Sequence, residues 1–241
     1  MRSIFLFDVD GTLTEPREEM TPRFARLFEV LASRELTYLV SGSDIGKIRE
    51  QVPSHLLKKC TGIFASSANE FWIDDKVQYE NVYVPSPEIT RFLVSALSSS
   101  KYNTKTGNHI EHRPGMINFS IVGRKATMEQ RKAYNKWDSK SHERKKLAVK
   151  LMTEHPELDV KVGGEISIDI YPRGLDKAQA VQYLREEYGQ CQIVFFGDRT
   201  DEDGNDYSVL REMTQTDIVH AVENCEDTYQ ILKNYLGYKN E

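Results

Sequence analysis

Ser3-Ile4-Phe5-Leu6-Phe7-Asp8-Val9-Asp10-Gly11-Thr12-Leu13-Thr14 stands almost at the start of the chain and decides its fold class. Four consecutive apolar residues, Ile4 to Phe7, mark a strand buried on both faces, the habit of parallel sheets. The strand runs into two carboxylates two positions apart, and Gly11 permits a sharp exit. In open parallel sheets, ligands gather beyond the carboxyl ends of the strands. A carboxylate placed there can attack phosphorus and form an aspartyl-phosphate, splitting one hard transfer into two. The second carboxylate can protonate the leaving oxygen and later deprotonate the acceptor. A pair of aspartates alone is usually a solvated strand end; the full string, with its turn residues, says more.

Outward from this segment the chain alternates strand and helix. A helix follows from about Thr21, with Pro22 at its first position and Phe24, Leu27, Phe28 and Leu31 on one stripe. Leu36–Val40 and Gly62–Ala65 read as further buried strands, separated by a helix carrying Ile45 and Ile48. Residues 71–73 and 77–79, split by Asp74-Asp75-Lys76, read as a hairpin. Towards the other end a helix from Asp176 to about Tyr188 precedes a strand over 192–196. This rhythm predicts a parallel α/β sheet. The middle differs: a helix opened by Ser86-Pro87, strands over 109–113, 116–122 and 160–171, and two helices, the first with a capping box from Thr127 to Gln130. Residues 82–175 are therefore read as an α+β domain inserted into a core formed by 1–81 and 176–241.

With 241 residues, 39% hydrophobic and 29% charged, the chain has the makeup of a globular protein. A net charge of −5 argues against a nucleic-acid-binding surface, so any anion site must be a local group of arginines. Cys60, Cys191 and Cys225 show no paired spacing, as expected of free thiols in a reducing compartment. No segment has the length of a membrane span, and the expected location is cytoplasmic. His109 and His112 lie on a strand without further ligands and are not read as a metal site.

The string beginning at Asp8 resembles the signature of the haloacid-dehalogenase superfamily, and the superfamily's other elements follow in order. Ser41-Gly42-Ser43 resembles the element whose hydroxyls hold the transferring phosphoryl group, and Lys177 the fixed cation beside the nucleophile. Gly197-Asp198 with Gly204-Asn205-Asp206 resembles the acidic fourth element. The chemistry has a plain need for a cation, because a phosphate dianion repels a carboxylate nucleophile. Mg2+ takes about six oxygens and keeps several as water, so Asp8, the backbone carbonyl of Asp10, and Asp198 are the expected ligands. Asn205 and Asp206 are read as orienting those ligands or Lys177.

In the inserted domain strand alternation separates two faces. Ile117, Phe119, Ile121, Ile166, Ile168 and Ile170 fall on one; Arg113, Asn118, Ser120, Ser167 and Asp169 gather on the other, with Glu111 beside Arg113. Arg124 ends one strand and Arg131 falls in the capped helix that follows. Three arginines near a polar face have the makings of a phosphate clamp.

Over nearly its whole length the chain is similar to the eukaryotic phosphomannomutases, through DVDGTLTEPR, SGSD, RPGMINFSIVGR with MEQR, GGEISIDIYP, and FFGDRT with GND. That resemblance implies interconversion of mannose 6-phosphate and mannose 1-phosphate, feeding GDP-mannose synthesis. Asp8 would be the nucleophile and Asp10 the acid/base. Arg17, Arg113, Arg124 and Arg131 would hold the non-reacting phosphate and the sugar, with Ser167 and Asp169 on hydroxyls. It further implies a homodimer joined through the inserted domain and a hexose 1,6-bisphosphate activator. The chain departs from the family at Leu210-Arg211-Glu212-Met213, where an acidic, threonine-containing loop can hold a second cation. It departs also at Ala65-Ser66-Ser67-Ala68-Asn69, in place of a Pro-Glu-Asn-Gly turn, and at Ser41, where glycine is common. The rival readings are a sugar-phosphate phosphatase of the same superfamily, with water attacking the phosphoenzyme, and a catalytically silent binding protein. Arg17, Arg124 and Arg131 favour the mutase, since it must hold a second phosphate.

Overall fold

The computed structural model describes residues 3–238. They fall into two compact units: the residues up to Glu80 with those from Leu175 onward, and Asn81–Gly174.

The first unit begins with β1 (Ser3–Phe7), α1 (Pro22–Ala32), β2 (Leu36–Val40), α2 (Ile45–Gln51), α3 (Ser54–Leu57) and β3 (Gly62–Ala65). The hairpin of β4 (Glu70–Ile73) and β5 (Lys76–Glu80) follows. Asp74 and Asp75 form its two-residue turn, both with the positive φ that matches the twist of paired strands. The second unit contains α4 (Pro87–Ser99), β6 (Ile110–Arg113), β7 (Met116–Ser120), α5 (Met128–Ser141), α6 (Glu143–Glu154), β8 (Leu158–Gly163) and β9 (Ser167–Pro172). The chain then returns to the first unit as α7 (Ala178–Tyr188), β10 (Gln192–Gly197), α8 (Tyr207–Arg211), β11 (Ile218–Ala221) and α9 (Cys225–Leu236).

The first unit's sheet runs β11-β10-β1-β2-β3-β4-β5 among the described residues, parallel from β11 to β3 and antiparallel through the hairpin. β1 lies inside it, which is why Ile4 to Phe7 are all apolar. Phe5 and Phe7 pack with Phe24, Leu27, Phe28 and Leu31 of α1 and Tyr229 and Leu232 of α9. Ile4 and Leu6 pack on the other face with Ala180, Val181 and Leu184 of α7. At about 1.5–3 kcal/mol per fully buried large side chain, the stripe of α1 alone is a major part of the core. The Thr21 hydroxyl caps that helix by accepting from Phe24 N–H at 3.3 Å. Chain order reverses at β1: β2 lies on one side, and β10, after the whole second unit, on the other. The ends of β1 and β10 therefore lie side by side at the switch point where such sheets bind ligands.

The second unit's sheet is antiparallel, in the order β6-β7-β9-β8. Its apolar face, with Ile117, Phe119, Ile168 and Ile170, packs on Ile89 and Leu93 of α4, Tyr134 of α5 and Leu151 of α6. The capping box between Thr127 and Gln130 is formed. The single strand expected over 160–171 is two strands. Gly164 turns the chain at φ +48, and the buried Arg144 donates to the carbonyls of Gly163, Gly164 and Ser167 around the corner. Elements β11, α8 and α9 complete the first unit beyond those anticipated from periodicity.

Candidate active site

Asp8 follows β1 directly, and its N–H continues the ladder by donating to Phe196 C=O at 2.9 Å. Its carboxylate is buried. Lys177, in the turn just before α7, donates from Nζ to Asp8 Oδ1 at 2.6 Å and to Asp206 Oδ1 at 2.7 Å. Thr12 Oγ1 donates to Asp8 Oδ2 at 3.5 Å, and Asp206 also accepts from Arg199 N–H at 3.1 Å. Asp198 directly follows β10 beside them, and oxygens of Asp8, Asp198 and Asp206 lie within 4.8 Å of one another.

The charges explain the titration. Burial pushes the Asp8 carboxyl well above its ordinary range; Lys177 opposes this, and Asp206 and Asp198 add to it. Burial, then the charge of Asp206, raises Asp198 to about 6. Burial alone would lower Lys177, but the Asp206 and Asp8 carboxylates outweigh it and hold the ammonium above the usual lysine value. Three crowded carboxylates set against one ammonium form an acidic donor set of oxygens that fits a hard divalent cation.

Asp10 is half-buried and held from three sides. Its Oδ1 accepts from Gln51 Nε2 at 2.9 Å and from Arg17 N–H at 3.1 Å, and its Oδ2 from Ser43 Oγ at 3.3 Å. Arg17 thus meets Asp10 through its backbone, at a positive φ of 67°, while its side chain is exposed. Gly11 is obligatory: φ is +83°, and a Cβ there would run into the Asp198 carboxylate. The loop Ser41-Gly42-Ser43 is tied to the next strand end, with Ser66 N–H donating to Ser43 C=O and Ser67 N–H to Ser41 C=O, each at 2.8 Å. Ser66, Ser67 and Ala68 all have positive φ, a run of left-handed residues of the kind found at functional loops. Asn205 is exposed and lies over Gly42, where an added Cβ would meet its Nδ2 at 3.5 Å.

The second unit carries the other expected residues on the polar face of its sheet. Asn118 stands opposite Asp169 and donates to it at 2.6 Å; Ser120 stands opposite Ser167. Arg124 donates from Nη1 to Ser167 Oγ at 3.3 Å. Arg113 and Arg124 both turn to Glu111. Its Oε2 meets Arg113 Nη2 at 2.5 Å, Arg113 Nε at 3.1 Å and Arg124 Nε at 3.2 Å. Arg131 braces the same corner from α5, donating to the Ala126 and Arg124 carbonyls at 3.1 and 3.3 Å.

Two residues on these sites were not singled out from sequence. Gln51 had a signal: it follows Ile48 by three and so lies on the buried stripe of α2, a polar residue where an apolar one belongs. Glu111 shares a strand face with Arg113, and a carboxylate two positions from an arginine on one face is its only mark.

The family model for eukaryotic phosphomannomutase matches residues 24–238. A phosphomannomutase of Encephalitozoon cuniculi is 32% identical over 237 residues, covering 95% of this chain and 91% of that protein. One from Triticum aestivum is 34% identical over 237 residues, covering 95% and 93%. Among solved structures, an IMP-bound mutant of Plasmodium falciparum IMP-nucleotidase superposes with a TM-score of 0.68 at 14% identity, over 98% of this chain and 68% of that one. At that identity the likeness speaks for the fold alone.

Proposed function

The chain belongs to the eukaryotic phosphomannomutase family, and on that premise we propose that it interconverts mannose 6-phosphate and mannose 1-phosphate through an aspartyl-phosphate on Asp8. The observation that carries this reading is the buried Asp8–Lys177–Asp206 triad at the sheet's switch point, with Asp198 beside it.

Asp8 Oδ2 attacks phosphorus; the new O–P bond forms as the bond to the sugar oxygen breaks. Lys177 holds the other oxygen and fixes the carboxylate's orientation. Asp10, kept in place by Gln51, Ser43 and the Arg17 N–H, gives its proton to the leaving sugar oxygen. In the opposite half it takes the proton from the free hydroxyl of a bound hexose monophosphate, whose oxygen attacks the phosphoenzyme as the Asp8 O–P bond breaks, so that the sugar carries both phosphates until the other one is given to Asp8. A hexose 1,6-bisphosphate is both the intermediate and the activator that first loads Asp8.

Mg2+ would be held by Asp8, Asp198 and the backbone carbonyl of Asp10, with Asp206 engaged by Lys177 and Arg199 N–H. When bound, it neutralises charge on the phosphoryl group and the nucleophile. Arg113, Arg124 and Arg131 serve the phosphate that is not reacting, with Asn118, Ser167 and Asp169 on the sugar and Arg17 contributing its side chain. A bare phosphatase needs no such second anion face. The expected setting is cytoplasmic, as a homodimer joined through the second unit; no described helix is long and apolar enough to cross a membrane.

Acid-quenching the enzyme with phosphorus-labelled substrate tests the covalent step. Label recovered on the peptide containing Asp8, and none in Asp8→Asn, is the predicted result; label-free protein during turnover contradicts it.

A further inference from the structure

We propose that Glu111 is the anion that exchanges with phosphate on Arg113 and Arg124, and that it sets how readily these arginines let the non-reacting phosphate go. This rests on the reading of that face as the mutase's second phosphate site.

Three guanidinium nitrogens, from two arginines on different segments, converge on the single oxygen Glu111 Oε2. Such a pattern is what one phosphoryl oxygen would receive. The three side chains are not equally fixed. Arg113 and Arg124 are 10% and 21% exposed, whereas Glu111 is 39% exposed. Arg124 is also anchored to Ser167 Oγ. Glu111 is therefore the member with most freedom to withdraw. Its strand register sets it opposite Asn118, which is opposite Asp169, so it belongs to the polar face itself.

A mutase has a particular need for such a group. Its bisphosphate intermediate must leave the clamp with one phosphate and return with the other. Without that carboxylate the two arginines would hold a dianion more tightly, and its release would leave their shared contact unfilled. With Glu111 present, release is an exchange of one anion for another. The carboxylate makes phosphate binding weaker and departure faster, trading ground-state affinity for turnover. Were Glu111 merely a brace for the arginines, removing its charge would weaken phosphate binding instead. The two roles have opposite signs.

Glu111→Gln keeps shape and volume and removes the charge; Glu111→Asp keeps the charge on a shorter arm. For mannose 1-phosphate titrated calorimetrically without Mg2+, the glutamine variant is expected to bind on the order of ten-fold more tightly, the scale of one charge-assisted contact. In steady state its KM and kcat fall together, while Glu111→Asp lies between it and wild type. Weaker or unchanged binding in Glu111→Gln overturns the inference, and should that variant fail to fold, affinity in Glu111→Asp at or below the wild-type level does so. A wild-type protein that releases phosphate rather than isomerising the sugar overturns the parent reading instead, whatever Glu111→Gln does.

Discussion

Replacing Lys177 by Met tests the electrostatics of the first unit. Methionine has nearly the length of lysine, so the substitution removes a charge without opening a large cavity. Lys177 is 1% exposed and its partners Asp8 and Asp206 are 5% and 0% exposed, so solvent cannot replace the lost ion pairs. Removing one partner of a buried pair costs about 3–5 kcal/mol, because the other charges stay behind unpaired. For a chain of this size each kcal/mol shifts Tm by about 2–4 °C, so a fall of roughly 6–20 °C is expected in metal-free protein. The substitution removes the positive charge that shares these carboxylates with a cation, so Mg2+ should raise Tm more in the variant than in wild type. Saturation at a hundred times Kd is worth about 2.7 kcal/mol. Turnover should still fall at least about a hundred-fold, since a restored fold lacks the fixed ammonium. The assays are thermal melts in chelator and in Mg2+, beside steady-state rates. A variant that melts within about 2 °C of wild type, and gains no more from Mg2+, would refute this account of the cluster.

Asp8→Asn should abolish phosphoryl transfer in a protein that remains folded by circular dichroism, and a tenth of wild-type activity would contradict the covalent step. Gln51→Leu removes the amide that orients Asp10 and leaves Ser43 Oγ and Arg17 N–H in place. Its kcat should therefore fall by less than the roughly 10²–10⁴-fold of losing acid/base help altogether, as seen in a parallel Asp10→Asn assay. Mg2+ binding should weaken as pH falls through about 6, because Asp198 must lose its proton to ligate. Calorimetry in buffers of different ionisation enthalpy should show proton release there, and an affinity constant from pH 7.5 to 5 would be the contrary result. Arg124→Ala should lower mutase turnover about ten- to a hundred-fold. It should spare phosphorylation of Asp8 by acetyl phosphate, and a proportionate loss of both would remove the second-phosphate role.

The sequence is most readable where burial alone dictates residue choice. Ile4 to Phe7 announce a central strand because both of its faces must be apolar, and Pro22 announces a helix start because its fixed φ and missing N–H suit the first helical position. The missed turn within 160–171 has a specific cause. Val160, Val162, Ile166, Ile168 and Ile170 keep the same parity straight through the corner, so alternation continues as though the strand did; Gly163 and Gly164 are its only local sign. Long-range pairings have no local signature at all. Lys177 lies 169 positions from Asp8, and Gln51 lies 41 from Asp10. Spacing cannot join them; the switch point of the sheet does. Glu111 likewise could be placed on a face by alternation, but its meeting with Arg124 depends on the corner at Gly123, where φ is +87°.

The central claim, that the phosphoryl group on Asp8 passes to a sugar hydroxyl rather than to water, is tested most directly by phosphorus NMR of mannose 1-phosphate incubated with the protein, Mg2+ and a trace of hexose 1,6-bisphosphate. The account predicts conversion to mannose 6-phosphate with inorganic phosphate a minor product. Inorganic phosphate as the main product, with no 6-phosphate formed, would contradict it.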